Sequence, residues 1–209
     1  MATPNDGPDK TTDLQTQREE FEKQPLIEEY VQLFTRYEHN YGRMVRALAD
    51  AFGEEEVLDL VERAGWEMGY EAGLTLRQQF EQDIEGAFHA KAHSWHDDPT
   101  FFCRLVACDV VVLEGKRWEL VAVKCPREVF RAMGDPKVGL TRCITDFAAV
   151  RGWSPRITMR QPRHMCRGDN YCYQIREIVD DPSLQWDYSR ETSEKVGWRS
   201  IKVLEELPK

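Results

Sequence analysis

The spacing of apolar residues changes character once along this chain, and that change limits the folds open to it. From Leu26, the apolar positions Leu26, Ile27, Tyr30, Leu33, Phe34, Tyr37, Tyr41, Met44, Val45, Leu48 and Phe52 recur at steps of three and four residues, which predicts an amphipathic helix ending near Gly53. Glu54, Glu55 and Glu56 then put negative charge where a helix dipole favours it, and a periodic face from Val57 to Phe80 predicts a second helix. Beyond residue 100 the pattern turns strand-like. Segments 102–112 and 118–123 are rich in Val, Leu, Phe and Trp and flank Glu114-Gly115-Lys116, a hairpin signal. Segments 156–161 and 171–178 form a second pair around the turn signal Gly168-Asp169-Asn170, with short helices predicted between the pairs over 126–133 and 138–150. Helices first and hairpins after predict an α+β fold, an antiparallel sheet built from two hairpins and packed by two long N-terminal helices and short intervening helices.

The chain has 209 residues, 41% of them hydrophobic, enough for one domain with its own core; we assign that domain to residues 25–180. Residues 1–24, nearly devoid of apolar side chains, read as a disordered lead, and residues 181–209 as a tail packing on the domain. The net charge of −9 comes without any basic stripe, so neither nucleic acid nor a membrane is an expected partner. A small-molecule substrate is expected, and a homo-oligomer is compatible with the pattern. The sequence shows no secretory signal and no apolar run of membrane-spanning length, which makes the cytoplasm the expected location. Six cysteines in that compartment read as free thiols, metal ligands or a nucleophile rather than as disulfides.

Four clusters carry chemistry. Cys125-Pro126 lies where a strand gives way to a helix, so helical N–H groups could stabilise a thiolate there; the plainer alternative is a packed strand end. Cys143 and Asp146 stand three apart in a predicted helix and share a face. A carboxylate alone would raise the thiol pKa, so this pair makes sense only with a cation, a metal or a protonated substrate group nearby. His89, His93 and His96 fall at i, i+4 and i+7, one helical face, where a solvated polar stripe competes with a proton-transfer role centred on His96. In Arg163-His-Met-Cys-Arg-Gly-Asp-Asn-Tyr-Cys-Tyr173 the cysteines are six apart and no CxxC pair exists, so a turn explains the segment better than a zinc knuckle. Gly69 and Gly73 mark a flat helix patch for a close neighbour or a ligand, and with Trp66 and Tyr70 they are the expected far wall of a pocket.

Taken in order, Lys124-Cys125-Pro126, Gly134, Cys143-Ile-Thr-Asp-Phe147 and Gly168-Asp-Asn-Tyr-Cys172 resemble the L-2-amino-thiazoline-4-carboxylic acid hydrolase family, whose C-P, C-x-x-D-F and G-D-x-x-C elements recur in this order. The resemblance implies a hydrolase that opens a small ring at an amidine-like C–N bond. It maps the family cysteines onto Cys125, Cys143 and Cys172 and the acid onto Asp146, leaves Cys166 outside the pattern, and departs at Gln174, where the family tends to have Phe. The same G-D-x-x-C ending is similar to small-molecule-binding domains of the 4-vinyl-reductase type, some of which hold zinc. That similarity implies an alternative Zn or Fe site at Cys143, His164 and Cys172, with Gln161 where an acid would be.

The expectation is therefore a cofactor-independent hydrolase. Cys143 would attack as thiolate, Asp146 would hold a cationic amidine, Cys125 and Cys172 would flank them, and His96 or His164 would move protons. The competing expectation is a small-molecule-binding or sensing domain with a Cys/His metal site.

Overall fold

A computed structural model of the chain describes residues 16, 19, 25–80, 83–97, 108–114, 117–125 and 127–180. The expected lead and tail fall almost wholly outside the described residues. Helix α1, Pro25–Phe52, starts on a proline, whose missing N–H costs nothing at a first turn. It stops at Gly53, whose φ of 103° lies in the region that favours glycine. Helix α2, Glu54–Gln79, follows at once, and its first carboxylate accepts from Lys137 at 2.5 Å and from Arg46 at 2.7 Å. Arg46 also donates to Asp135. This clasp of four charges ties the ends of three helices together.

Helix α3, Ile84–Asp97, begins where Asp83 accepts from the Gly86 N–H at 2.8 Å. Strands β1, Cys108–Glu114, and β2, Arg117–Ala122, form the first hairpin. The short helix α4, Glu128–Ala132, and helix α5, Pro136–Trp153, come next. Strands β3, Ile157–Arg163, and β4, Cys172–Ile178, close the chain's described part, joined through a 3-10 turn over Met165–Arg167. The sheet order is β1-β2-β4-β3, antiparallel at every step. The predicted α+β class, with two hairpins meeting through β2 and β4, is the observed one.

Two details differ from the sequence reading. The second intervening helix is not short: α5 runs 18 residues, because Pro136 gives it an earlier start and Gly152 continues rather than ends it. The first strand runs on to Glu114, two residues past its expected end at Val112, and 102–107 lie outside the described residues.

The main core lies between the helices and one face of the sheet. Trp118, Leu120 and Ala122 of β2, Ile157 and Met159 of β3, and Cys172 and Ile178 of β4 point to it, as the alternation of a pleated strand requires. Phe88 of α3 and Ile144, Phe147, Val150 and Trp153 of α5 meet them, with the Phe88 ring 5.4 Å from Trp118 and 5.7 Å from Trp153. On the opposite face, Val121, Val123, Tyr173 and Ile175 form a smaller cluster.

Helix α2 runs along α5 with almost nothing between them. A Cβ added at Gly69 or Gly73 would run into the carbonyl oxygens of Thr145 or Ala149, and one at Gly152 into that of Tyr70. The glycine patch is therefore filled by the backbone of α5. It is not the pocket wall that the sequence suggested, and Trp66 packs against the main core.

Candidate active site

Helix α5 turns its other side to the end of the sheet, and there four cysteines gather. Cys143 is buried in the middle of the helix, and Arg127, from the turn that leads into α4, donates to its sulfur from Nη1 at 3.3 Å. The turn is set by the Glu128 N–H, which bonds the Cys125 carbonyl at 2.9 Å. Cys166 comes from the 3-10 turn. Its Sγ lies over Gly139, one helical turn before Cys143, where a Cβ would stand only 2.6 Å from the sulfur, and it also approaches the Arg127 carbonyl at 3.8 Å. The two thiols are hydrogen-bonded to each other.

Gly168 makes this placement possible. With φ at 99° it caps the 3-10 turn in the left-handed region, so the chain doubles back and the turn is held against α5. Asp169 fixes its start by accepting from the His164 N–H at 2.6 Å. His164 Nδ1 in turn accepts from the Cys166 N–H at 3.1 Å. An Nδ1 that accepts must carry its tautomeric proton on Nε2 when the ring is neutral. His164 is fully buried, its Nε2 has no hydrogen-bond partner, and its side chain faces Cys143 and Asp146.

These neighbours shift the four thiols in opposite directions, Cys143 down and the other three up. The Cys166 hydrogen bond, then Arg127 and His164, hold Cys143 well below the usual thiol value in spite of its burial. Cys166, as donor to that anion and as a buried group, is pushed far up. Burial pushes Cys125 up to about 12 and Cys172 up as well. Of the two readings open at Cys125, the packed strand end fits better than helix-start stabilisation, because α4 has only five residues and burial raises the thiol. Burial likewise raises Asp146, against the pull of Arg127, Arg176 and His164.

Cys143, Asp146, Cys125, Cys172 and His164 thus share one neighbourhood, as the electrostatic coupling among them requires. Cys172, the first residue of β4, accepts from the Met165 N–H at 3.4 Å and from the Gln161 side chain. Gln161 is buried and its Oε1 has no partner. His96 lies in α3, and its side chain is outside the described residues. Cys166, set aside by the motif pattern, stands at the centre. Arg127 is the cation that the Cys143/Asp146 pair required, and only its place just after Cys-Pro could have signalled it. Among the described residues, no three His, Cys, Asp or Glu side chains are grouped to hold a metal ion.

A hollow of about 520 Å³ opens beside this cluster, lined by Arg46, Arg131, Asp135, Lys137, Cys166 and Arg167 among others. Of the four cysteines, Cys166 is the one that lines it. No helix among the described residues is long and apolar enough to cross a membrane.

The fold and the site together define an α+β domain in which four free cysteines, Cys143 among them beside Arg127, gather at one end of an antiparallel sheet. The sequence pattern of the L-2-amino-thiazoline-4-carboxylic acid hydrolase family matches residues 34–174, and the chain belongs to that family. Membership supports a hydrolase-like function. No curated protein matches the chain significantly. Among solved structures, the phenol-responsive sensory domain of the transcription activator PoxR with phenol is similar at 14% identity and a TM-score of 0.47, over 70% of this chain and 78% of that one.

Proposed function

We propose that the protein is a small-molecule hydrolase that opens a cyclic amidine or isothiourea-like C–N bond, with Cys143 as nucleophile. The observation that carries this reading is the Arg127 guanidinium 3.3 Å from a buried sulfur whose pKa is lowered. Such a thiolate is a nucleophile at neutral pH, whereas an ordinary thiol is only a few per cent ionised. It adds to the carbon of the C=N group, the ring nitrogen takes a proton and leaves, and water releases the product from sulfur. His164, with its proton on Nε2, is the group placed to move that proton. Asp146 holds the substrate's amidinium, and binding a cation there reverses part of the burial that raises its pKa. The free Gln161 Oε1 can receive a substrate N–H. Cys125 and Cys172, neutral at pH 7, line the site without taking part in proton transfer.

The expected result of Cys143→Ala, with the fold verified by circular dichroism, is loss of at least 99% of turnover, on the order of 10²-fold or more. Retained turnover removes Cys143 from the role. A Zn or Fe site at Cys143, His164 and Cys172 is the second reading, favoured by a buried imidazole beside the thiols and opposed by the arginine on the same sulfur and by the lack of any three-ligand group among the described residues. Near-stoichiometric metal in the purified protein would decide for it, and one fast-alkylating thiol in metal-free protein against it.

A further inference from the structure

Helix α1 carries a second pattern that the body of the protein does not use. Its Glu38, Gly42, Val45 and Ala49 are buried against the body. On another side, Tyr30, Leu33, Tyr37, Asn40, Met44 and Ala47 follow the alternating three- and four-residue steps of a coiled-coil seam, and every one of them is exposed. Tyr30, Leu33, Tyr37 and Met44 are 48%, 59%, 54% and 55% exposed. No residue from Glu28 through Tyr37 is buried, so the first part of the helix is its most exposed part. A half-solvated helix of this kind gains its stability from packing, and an apolar stripe of this extent marks an interface.

The charges beside the seam select the occupant. Glu29, Arg36, Arg43 and Asp50 form one row at seven-residue spacing, all exposed. In an antiparallel pair of identical helices that row faces itself, and the register that sets Glu29 beside Arg43 also stacks Leu33 on Tyr37. In a parallel pair the row would face Phe34, Tyr41 and Leu48, which offer no charge. We propose that the α1 seam pairs antiparallel with α1 of a second copy of the chain, Glu29 of each copy against Arg43 of the other. The overlap then involves the free part of each helix, and the two bodies lie at opposite ends. The two Arg36 side chains meet at the centre and weaken the pair. Covering the exposed apolar groups of α1 removes roughly 600 Å² per copy, somewhat below the ~800 Å² per partner of a standard interface, so the dimer is reversible.

Sedimentation velocity of the full chain over a concentration series tests this. Wild-type protein is expected to pass from monomer to dimer as concentration rises. Leu33→Glu with Tyr37→Glu, both at exposed sites, should weaken the dimer at least tenfold with unchanged circular dichroism, and Arg36→Ala should tighten it. Glu29→Arg and Arg43→Glu should each weaken self-association, and mixing those two variants should restore it. A monomer at every concentration overturns the proposal, as does a dimer indifferent to the seam substitutions. Failure of the mixed variants to pair overturns the antiparallel register. Strong hydrogen-exchange protection of residues 28–44 in a strictly monomeric protein assigns the seam to another part of the chain and also overturns it.

Discussion

The two sides of α5 are built on opposite terms. One side has no room: Gly65, Gly69 and Gly73 of α2 let the helix backbones meet at Thr141, Thr145 and Ala149. The other side carries Gly139, Cys143 and Asp146, spaced so that a sulfur from the 3-10 turn can settle over the glycine. Packing fixes the first side through dozens of weak contacts that leave no alternative position. Polar contacts fix the second, where a single missing charge changes the protonation of the whole cluster. The packed side holds the helix still beneath the cysteine cluster.

Three substitutions test that contrast, beginning with the largest expected effect. Gly73→Val drives a branched side chain into the Ala149 carbonyl, backbone that cannot swing away. It should cost roughly 3 kcal/mol or more, read as a lower denaturant midpoint at unchanged slope, and should abolish activity with the fold. A Gly73→Val protein of wild-type stability would show that the helices do not touch there.

Arg127→Met removes the cation from Cys143. A thiol whose folded pKa is lowered keeps its charge below the usual 9.0 and loses it only as pH falls through the folded value. In the wild type, therefore, one cysteine should alkylate with iodoacetamide at neutral pH and fall silent only in acid, while Cys125 stays protonated until pH nears about 12. In Arg127→Met the midpoint should move upward and the rate at pH 7 should fall at least tenfold, since each pKa unit is a factor of ten. Arg127→Lys should recover part of it. An unchanged profile in Arg127→Met would mean that the arginine does not hold the anion.

The smallest change is expected from Cys166→Ala. A thiol is a weak donor beside a full positive charge, so the alkylation midpoint of Cys143 should rise by less than in Arg127→Met, with a loss of rate of a few fold. A larger effect than that of Arg127→Met would make the thiol, not the guanidinium, the principal partner.

The sequence made the two long helices, the helices between the hairpins and both hairpins readable because each rests on local periodicity and on turn residues, whereas it left the helix over Ile84–Asp97 open. It also paired Cys143 with Asp146, since three residues along a helix is a local relation. What it hid are relations across the chain. Arg127 reaches Cys143 from another element, and only its place just after Cys125-Pro126 distinguishes it from the other arginines. Cys166 appeared superfluous because it falls outside the family motif, and only the left-handed Gly168 turns it back onto α5. The glycines of α2 announced a close neighbour, but not that the neighbour was the helix bearing Cys143 and Asp146.

The absence of side chains at the α2–α5 crossing also acts as a mechanical stop. If α5 slid or turned by one residue, Thr145 and Ala148 would lose their places over Gly69, and Ala149 and Trp153 theirs over Gly73. Small displacements are thus blocked in both directions, and the sulfur of Cys143 is indexed to the sheet end by a contact on the far side of its own helix. A variant that relaxed this stop could keep every residue of the cluster and still lose the alignment between thiolate, guanidinium and imidazole.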